Sequence, residues 1–363
     1  YVYKRQVMYN TQLLDLDAFK KIIEIVRQVP EASTILFTTY GGATLLDVEQ
    51  QESNLQQFLF TLFREYHLTA DDYTFSSDIF DSVYLKFEQY IFSTEPFRSV
   101  WLIDIRNLHL AVDKIQLDRG VILRQTTHEE KVKALNVPFF SPFTTAPYTY
   151  LEIHETADRF TQPDQQEATK TAQAVVLALR LIKPNPLGIY SYVWDVPEQP
   201  FRLLRGMRMG SALLHSAFSG EKYILTEEDA TAFPTLLRRA KRACRDTELA
   251  TVITRFDDSY LRTKQEDKLI DYWVALEALF FSLIPKEYVS SMGDTVASNI
   301  AYYIGETESE RRSIFASIIA SHKVRGYLVH GQRGTAPENL DLIVKKTENH
   351  LRQALRKRIE ENI

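Results

Sequence analysis

The chain has 363 residues, and 43 Lys and Arg against 48 Asp and Glu leave a formal charge of −5, which excludes a strongly basic protein that coats nucleic acid by bulk electrostatics. With 45% apolar residues it is neither disordered nor collagen-like, and at roughly 100 to 200 residues per domain its length predicts two domains or three. One cysteine, Cys244, excludes an intrachain disulfide and a cysteine-built zinc site and favours a reducing, cytoplasmic setting.

Helical spacing of apolar residues is expected first at Leu16 to Gln28, Ser53 to His67, Ser77 to Ser93 and Ala168 to Ile182. Between these, short β-branched or aromatic runs predict strands at Thr34 to Thr39, Ser99 to Ile105, Val121 to Gln125, Tyr148 to His154 and Gly188 to Val193. The order lacks the regular strand-helix alternation of a nucleotide-binding fold, so residues 1–225 read as an α+β domain. Thr171 to Ile182 and Tyr272 to Phe281 are the longest apolar stretches. Each is broken by a charge, Arg180 or Glu277, and falls short of the roughly 18 to 20 residues of a membrane helix, so no span is expected.

Residues 226–363 read as a purely helical domain. Helices are expected at Asp229 to Arg245, Leu249 to Leu261, Glu266 to Ile284, Met292 to Ile304, Glu308 to Ala320, Lys323 to His330 and Pro337 to Glu361. Charge follows the division: residues 230–363 hold 21 Lys and Arg against 18 Asp and Glu, and the residues before them 22 against 30. The basic groups gather at Arg238, Arg239, Lys241, Arg242 and Arg245, and again at Lys345, Lys346, Arg352, Arg356, Lys357 and Arg358. A solvated helix face explains such clusters, and a surface that tracks phosphates is the functional alternative.

Neither G-x-x-x-x-G-K-[ST] nor G-x-G-x-x-G occurs, and neither does H-E-x-x-H or G-x-S-x-G. His128 beside Glu129 and Glu130, and His154 beside Glu155, lack a third ligand at a diagnostic spacing, so no metal and no cofactor is expected. Thr126 or Thr127 instead fits the N-cap of a short helix, with the two glutamates in its first turn.

Two segments carry chemistry. Along Asp267 to Phe281, at about 100° per residue, Asp267, Asp271 and Ser282 form a polar stripe, and Glu277 lies away from it among Ile270, Trp273, Val274 and Phe280. A carboxylate in such surroundings must take up a proton or meet a cation. In His322 to Gly331, Val324 and Leu328 form the packing face of a short helix, Gly331 stops it, and His330 sits at the negative end of the helix dipole. Arg325 and His330 then splay by about 140°, so they share a ligand only from its two sides or across a subunit boundary.

The order "ALEALF", "IAYYIG" at Ile300 to Gly305, the pair Arg311 and Arg312, and then R-x4-H-G resembles the ApeA-like HEPN (higher eukaryotes and prokaryotes nucleotide-binding) family. The resemblance covers about residues 230–363 and, more faintly, Ile115 to Leu135. It implies an all-α HEPN-like helical bundle after the α+β region, with the family's R-x4-6-H motif falling on Arg325 and His330. The residue after the motif arginine is usually polar in the family. Here it is Gly326, which offers no hydrogen-bonding group and loosens a helix.

Proteins of this kind are metal-independent ribonucleases, usually homodimers that build one composite site. Cleaving RNA through its own 2′-OH needs a base, a cation at the developing phosphorane charge and a proton for the leaving 5′-oxygen. The resemblance assigns His330 as base or acid and Arg325 as phosphate clamp, with Glu277 and Tyr327 supporting and Arg238, Arg239, Arg242, Lys323 and Arg333 along the RNA path. Its partners are then RNA, a second copy bound through the helical domain, and a protein trigger or inhibitor sensed by residues 1–225, as in a defence or toxin-like effector. A non-catalytic module binding RNA, nucleotide or a protein partner is the alternative.

Overall fold

The computed structural model describes residues 75–92, 96–128, 130, 149–157, 165–184, 187–195, 210–211, 222–280, 291–330 and 339–361, with scattered positions between 21 and 70. The expected elements at Leu16 to Gln28 and Ser53 to His67 lie largely outside these residues. Thr34 to Thr39, Ser282, Gly331 and Arg333 lie wholly outside them. Two compact units are present: Tyr1–Leu102, Ile153–Asp164 and Tyr192–Gly210 form the first, and Ile103–Glu152, Gln165–Ser191 and Ser211–Ile363 the second.

In the first unit, helix α1 (Ser77–Phe92) begins after Ser76, whose backbone N–H donates to Tyr66 Oη at 2.6 Å. Tyr66 and Phe80 close on Phe75, with ring centroids 5.8 and 5.9 Å from it.

The strands are β1 (Phe97–Arg106), β2 (Leu108–Leu110), β3 (Lys114–Asp118), β4 (Val121–Gln125), β5 (Thr149–Ala157), β6 (Gly188–Asp195), β7 (Gly210–Ser211) and β8 (Tyr223–Leu225). One sheet runs in the order β3-β4-β5-β1-β6-β7, and β2 pairs with β8 in parallel. β3 and β4 are antiparallel, and the alternation of buried Ile115 and Leu117 with exposed neighbours gives β3 a single core face.

Arg124 on β4 joins three elements: it donates to Glu152 on β5 at 2.6 Å, to both Glu130 oxygens at 2.8 and 2.6 Å, and covers the Tyr150 ring. Of the two expected caps, Thr127 is the one used, since its Oγ1 accepts from Glu130 N and Glu130 Oε2 accepts from Thr127 N.

Helix α2 (Gln165–Ile182) precedes the C-terminal run of α3 (Glu227–Ala243), α4 (Ala250–Ser259), α5 (Gln265–Phe280), α6 (Met292–Ile304), α7 (Glu308–His330) and α8 (Leu340–Glu361). The described chain is therefore mixed, with eight helices and a mainly helical C-terminal part. A capping box of Thr226 and Asp229 starts α3, whose buried residues Phe233, Leu236, Leu237, Ala240 and Ala243 recur at helical spacing. Helix α5 is the centre of the bundle, packed against α4, α6, α7 and α8. Trp273, Leu276, Val296, Ile300, Ile318, Leu351 and Leu355 are fully buried around it. Among the described residues, no helix is long and apolar enough to cross a membrane.

The structure departs from or adds to the expectations at three points. Where a break is expected at Ser321 and His322, α7 is one helix of 23 residues. Ser321 is fully buried and bonded on both sides, accepting from Trp273 Nε1 at 3.0 Å and donating to Ile318 O at 2.9 Å, so its polarity is satisfied inside the bundle. Asp271 lies on the expected polar stripe with Asp267 but is buried. It is 2% exposed and bound by Arg262 and Arg255, while Asp267 is exposed. β2, β3, β7 and β8 were not anticipated, because runs of two to five residues carry too little periodicity to read.

Candidate active site on helices α5, α6 and α7

Helix α7 is held at its start by a second capping box. Thr307 N donates to Glu310 Oε2 at 3.0 Å, and Glu310 N donates to Thr307 Oγ1 at 3.2 Å. Arg311 fixes the corner between α6 and α7: its Nε donates to Gly305 O at 3.1 Å and its guanidinium lies over the Tyr302 ring. A Cβ on Gly305 would meet Ala301 O at 2.6 Å, so this turn needs glycine. Among the described residues, Arg312 pairs with Glu308, and both are exposed. The arginine pair of the sequence thus splits into one corner-forming residue and one surface residue.

From this corner α7 runs across α5. Glu277 on α5 meets the expected cation, with Arg325 Nη2 3.2 Å from its Oε1 and the two side chains 23% and 21% exposed. The contact is an ion pair without a hydrogen bond. Glu277 Oε1 and Arg325 Nε are buried and complete no hydrogen bond among the described residues. Such a pair holds charge in a partly desolvated place while leaving guanidinium donors unspent, and these could receive a phosphate oxygen.

One turn earlier, His322 occupies the same side of α7 as Arg325, since three residues along a helix differ by about 60° in direction. Its ring lies 4.9 Å from the Trp273 ring, tilted by 52°. Trp273 is itself anchored through Nε1 to Ser321. The ring also lies close to Gly293 of α6, where an added Cβ would lie 2.3 Å from His322 Nδ1 and 2.7 Å from its Cε1. Gly293 is therefore the notch that admits the imidazole. Burial pulls the His322 pKa below its ordinary 6.5, Arg325 adds to the fall, and Glu277 and Asp294 oppose it. At neutral pH the ring is uncharged and able to take a proton.

The remaining predicted residues of α7 emerge elsewhere. Lys323, Tyr327 and His330 fall within about 60° of one another, on the side of α7 turned away from Arg325, and all are exposed, Tyr327 at 56%. The structure thus brings Glu277 to Arg325, and in one chain it does not bring Tyr327 or His330 to them. Gly326 lies inside α7, and a Cβ there would meet nothing within 4 Å. His322 was the residue missed: the signal was a histidine three positions before the motif arginine, at the spacing that puts both on one face.

On α3, Arg238 and Arg242 are exposed and Arg239 is half-buried. Lys241 reaches Asp118 at 3.5 Å and Arg245 reaches Glu167 at 2.7 Å, so part of this cluster is answered by acids. On α8, Arg356 pairs with Glu360, and Lys357 donates to Tyr303 O at 2.6 Å. Among the described residues, no three His, Cys, Asp or Glu side chains converge as metal ligands do. No family model, curated protein or solved structure matches the chain.

Proposed function

We propose that this protein is an endoribonuclease of the HEPN type, cleaving RNA by attack of the 2′-hydroxyl on the adjacent phosphorus without a metal ion. The observation that carries the reading is the contact between Arg325 and Glu277, which holds a partly exposed guanidinium that makes no hydrogen bond among the described residues. A planar cation in a partly desolvated place is suited to the charge that develops on a phosphorane. The R-x4-H-G sequence and its preceding acidic helix supply the second support.

In this reading two copies associate through the helical part, and His330 of one copy approaches Arg325 of the other. The α+β part senses a trigger or restrains cleavage, as a defence or toxin-like effector requires. The test is cleavage of a mixed RNA pool in EDTA by the wild type, Arg325→Ala and His330→Ala. Fragments ending in 2′,3′-cyclic phosphate, with losses of about 100-fold or more in Arg325→Ala, are expected. Intact RNA at every protein concentration, or equal cleavage by Arg325→Ala, sinks the idea.

A non-catalytic module that binds RNA, nucleotide or a protein partner is the second reading. The divergence of Arg325 and His330 around α7 favours it, since one chain alone does not gather the motif. Retained RNA binding without product, lost in Arg325→Ala, selects it.

A further inference from the structure

One packed ionisable side chain at this site is outside the R-x4-H motif. His322 packs against both the Trp273 ring and the backbone of Gly293, and these two contacts restrict its ring. The Nδ1 edge faces Gly293, which leaves Nε2 as the nitrogen directed away from the notch. Neither nitrogen makes a hydrogen bond within the described residues, so the ring is oriented without its lone pair being spent. One turn later on the same face is the Arg325 guanidinium. His330, by contrast, is the exposed last residue of α7, and its side chain makes no hydrogen bond or ion pair among the described residues.

We propose that His322 is the proton acceptor for the attacking 2′-hydroxyl, working beside Arg325 of its own chain. The inference rests on the ribonuclease reading and names the base within it. His322 Nε2 takes the 2′-OH proton as the 2′-oxygen forms its bond to phosphorus. The bond from phosphorus to the 5′-oxygen breaks, and that oxygen takes a proton from water. The products are a 2′,3′-cyclic phosphate and a 5′-hydroxyl, and the imidazolium then returns its proton to solvent. Arg325 faces the phosphorane oxygens throughout, and Glu277 holds Arg325 in place.

The charges acting on His322 are Arg325 from its own helix, Glu277 from α5 and Asp294 from α6. With its pKa below 6.5, the neutral base is already present at mildly acid pH. The rate therefore rises with pH along an acid limb whose midpoint lies below 6.5.

Two glycines give the test its control. Gly293→Ala forces the imidazole out of its notch, whereas Gly326→Ala adds a methyl to open space on the neighbouring helix. Cleavage of a uridine-rich RNA oligonucleotide is measured from pH 5 to 8 for the wild type, His322→Asn, Gly293→Ala, Gly326→Ala and Arg325→Ala, beside affinity for the 2′-deoxy oligonucleotide. The rate is expected to fall by about 100-fold or more in His322→Asn, with loss of the acid limb. It falls roughly tenfold or more in Gly293→Ala at unchanged affinity, and Gly326→Ala stays at wild-type rate. If His322→Asn and Gly293→Ala cleave like the wild type while Arg325→Ala does not, His322 is not the base and the ribonuclease reading stands. If the wild type itself does not cleave, that reading falls and the assignment with it. Should His322→Asn fail to fold, Gly293→Ala decides, because it keeps the histidine and its Trp273 neighbour and adds a single methyl at the notch.

Discussion

Arg325 of α7 stands 3.2 Å from Glu277 of α5, and neither the arginine's Nε nor the acid's Oε1 completes a hydrogen bond among the described residues. The pair is held by charge in a partly desolvated place and not by directional bonding. Glu277→Gln leaves the cation unanswered and is expected to cost about 1 to 3 kcal/mol, between the values for exposed and fully buried pairs. Adding Arg325→Met should recover about 1 kcal/mol of that loss. Urea denaturation followed by helical circular dichroism on the four members of the cycle measures it. Strictly additive losses show that the two side chains do not interact.

Asp271 is the opposite case. Its carboxylate is buried, and two arginines that are each about two-fifths exposed close over it, Arg262 Nε at 2.7 Å and Arg255 Nη1 at 3.1 Å. Asp271→Ala is expected to cost about 3 kcal/mol, because it opens a void and strands two cations at the bundle wall. Arg255→Ala or Arg262→Ala alone should cost about 1 kcal/mol or less, since the other arginine remains. Equal losses in all three variants contradict this asymmetry.

Gly326→Ala is expected to stabilise. The position is inside an unbroken helix with no neighbour for a new Cβ, so the helix gains up to about 1 kcal/mol from reduced unfolded-chain freedom. The readout is a rise in the thermal midpoint of the purified variant. A fall shows that the glycine is needed for a backbone geometry other than the helix described.

Asp104 on β1 makes stability depend on pH. It is 1% exposed beside Arg106, whose Nε is 2.7 Å from its Oδ2, and burial pushes its pKa up to about 6 against the pull of that arginine. The folded protein therefore holds a proton that the unfolded chain has released between the ordinary 3.8 and about 6. The stability contributed by this group is fully present below about pH 4 and lost as pH rises to 6, in all about 3 kcal/mol. Asp104→Asn, which resembles the protonated acid, removes that slope, so the difference in urea midpoint between variant and wild type should grow from pH 4 to pH 7. Parallel curves show that the carboxyl is not protonated in the fold.

The sequence was most readable where one local device settles an element. Helix α6 begins and ends where expected, at Met292 and Ile304, because the Ser291 side chain caps its N-terminus and Gly305 turns the chain out of it. β4 likewise spans Val121–Gln125 as expected. Glu277 was legible for another reason: a carboxylate among apolar neighbours demands a partner, whatever the fold. What was not legible depended on partners far along the chain. Ser321 and His322 looked like a break between helices because both are weak helix formers, and only Trp273 and Gly293, on two other helices, explain why they lie inside one. The side on which His330 emerges follows from α7 being continuous, which the same missing contacts decide.

The parallel pairing of β2 with β8 also bears on how the chain folds. Leu108 to Leu110 pair with Tyr223 to Leu225, roughly a hundred residues later, and closing a loop of that size costs on the order of 4 kcal/mol of chain entropy. The helices after Glu227 carry mostly near-neighbour contacts and can form quickly on their own timescale, whereas the β2-β8 ladder must wait for a long-range search. Refolding is therefore expected to show a fast helical phase followed by a slower one, in which Tyr223 docks its hydroxyl on Leu179 O.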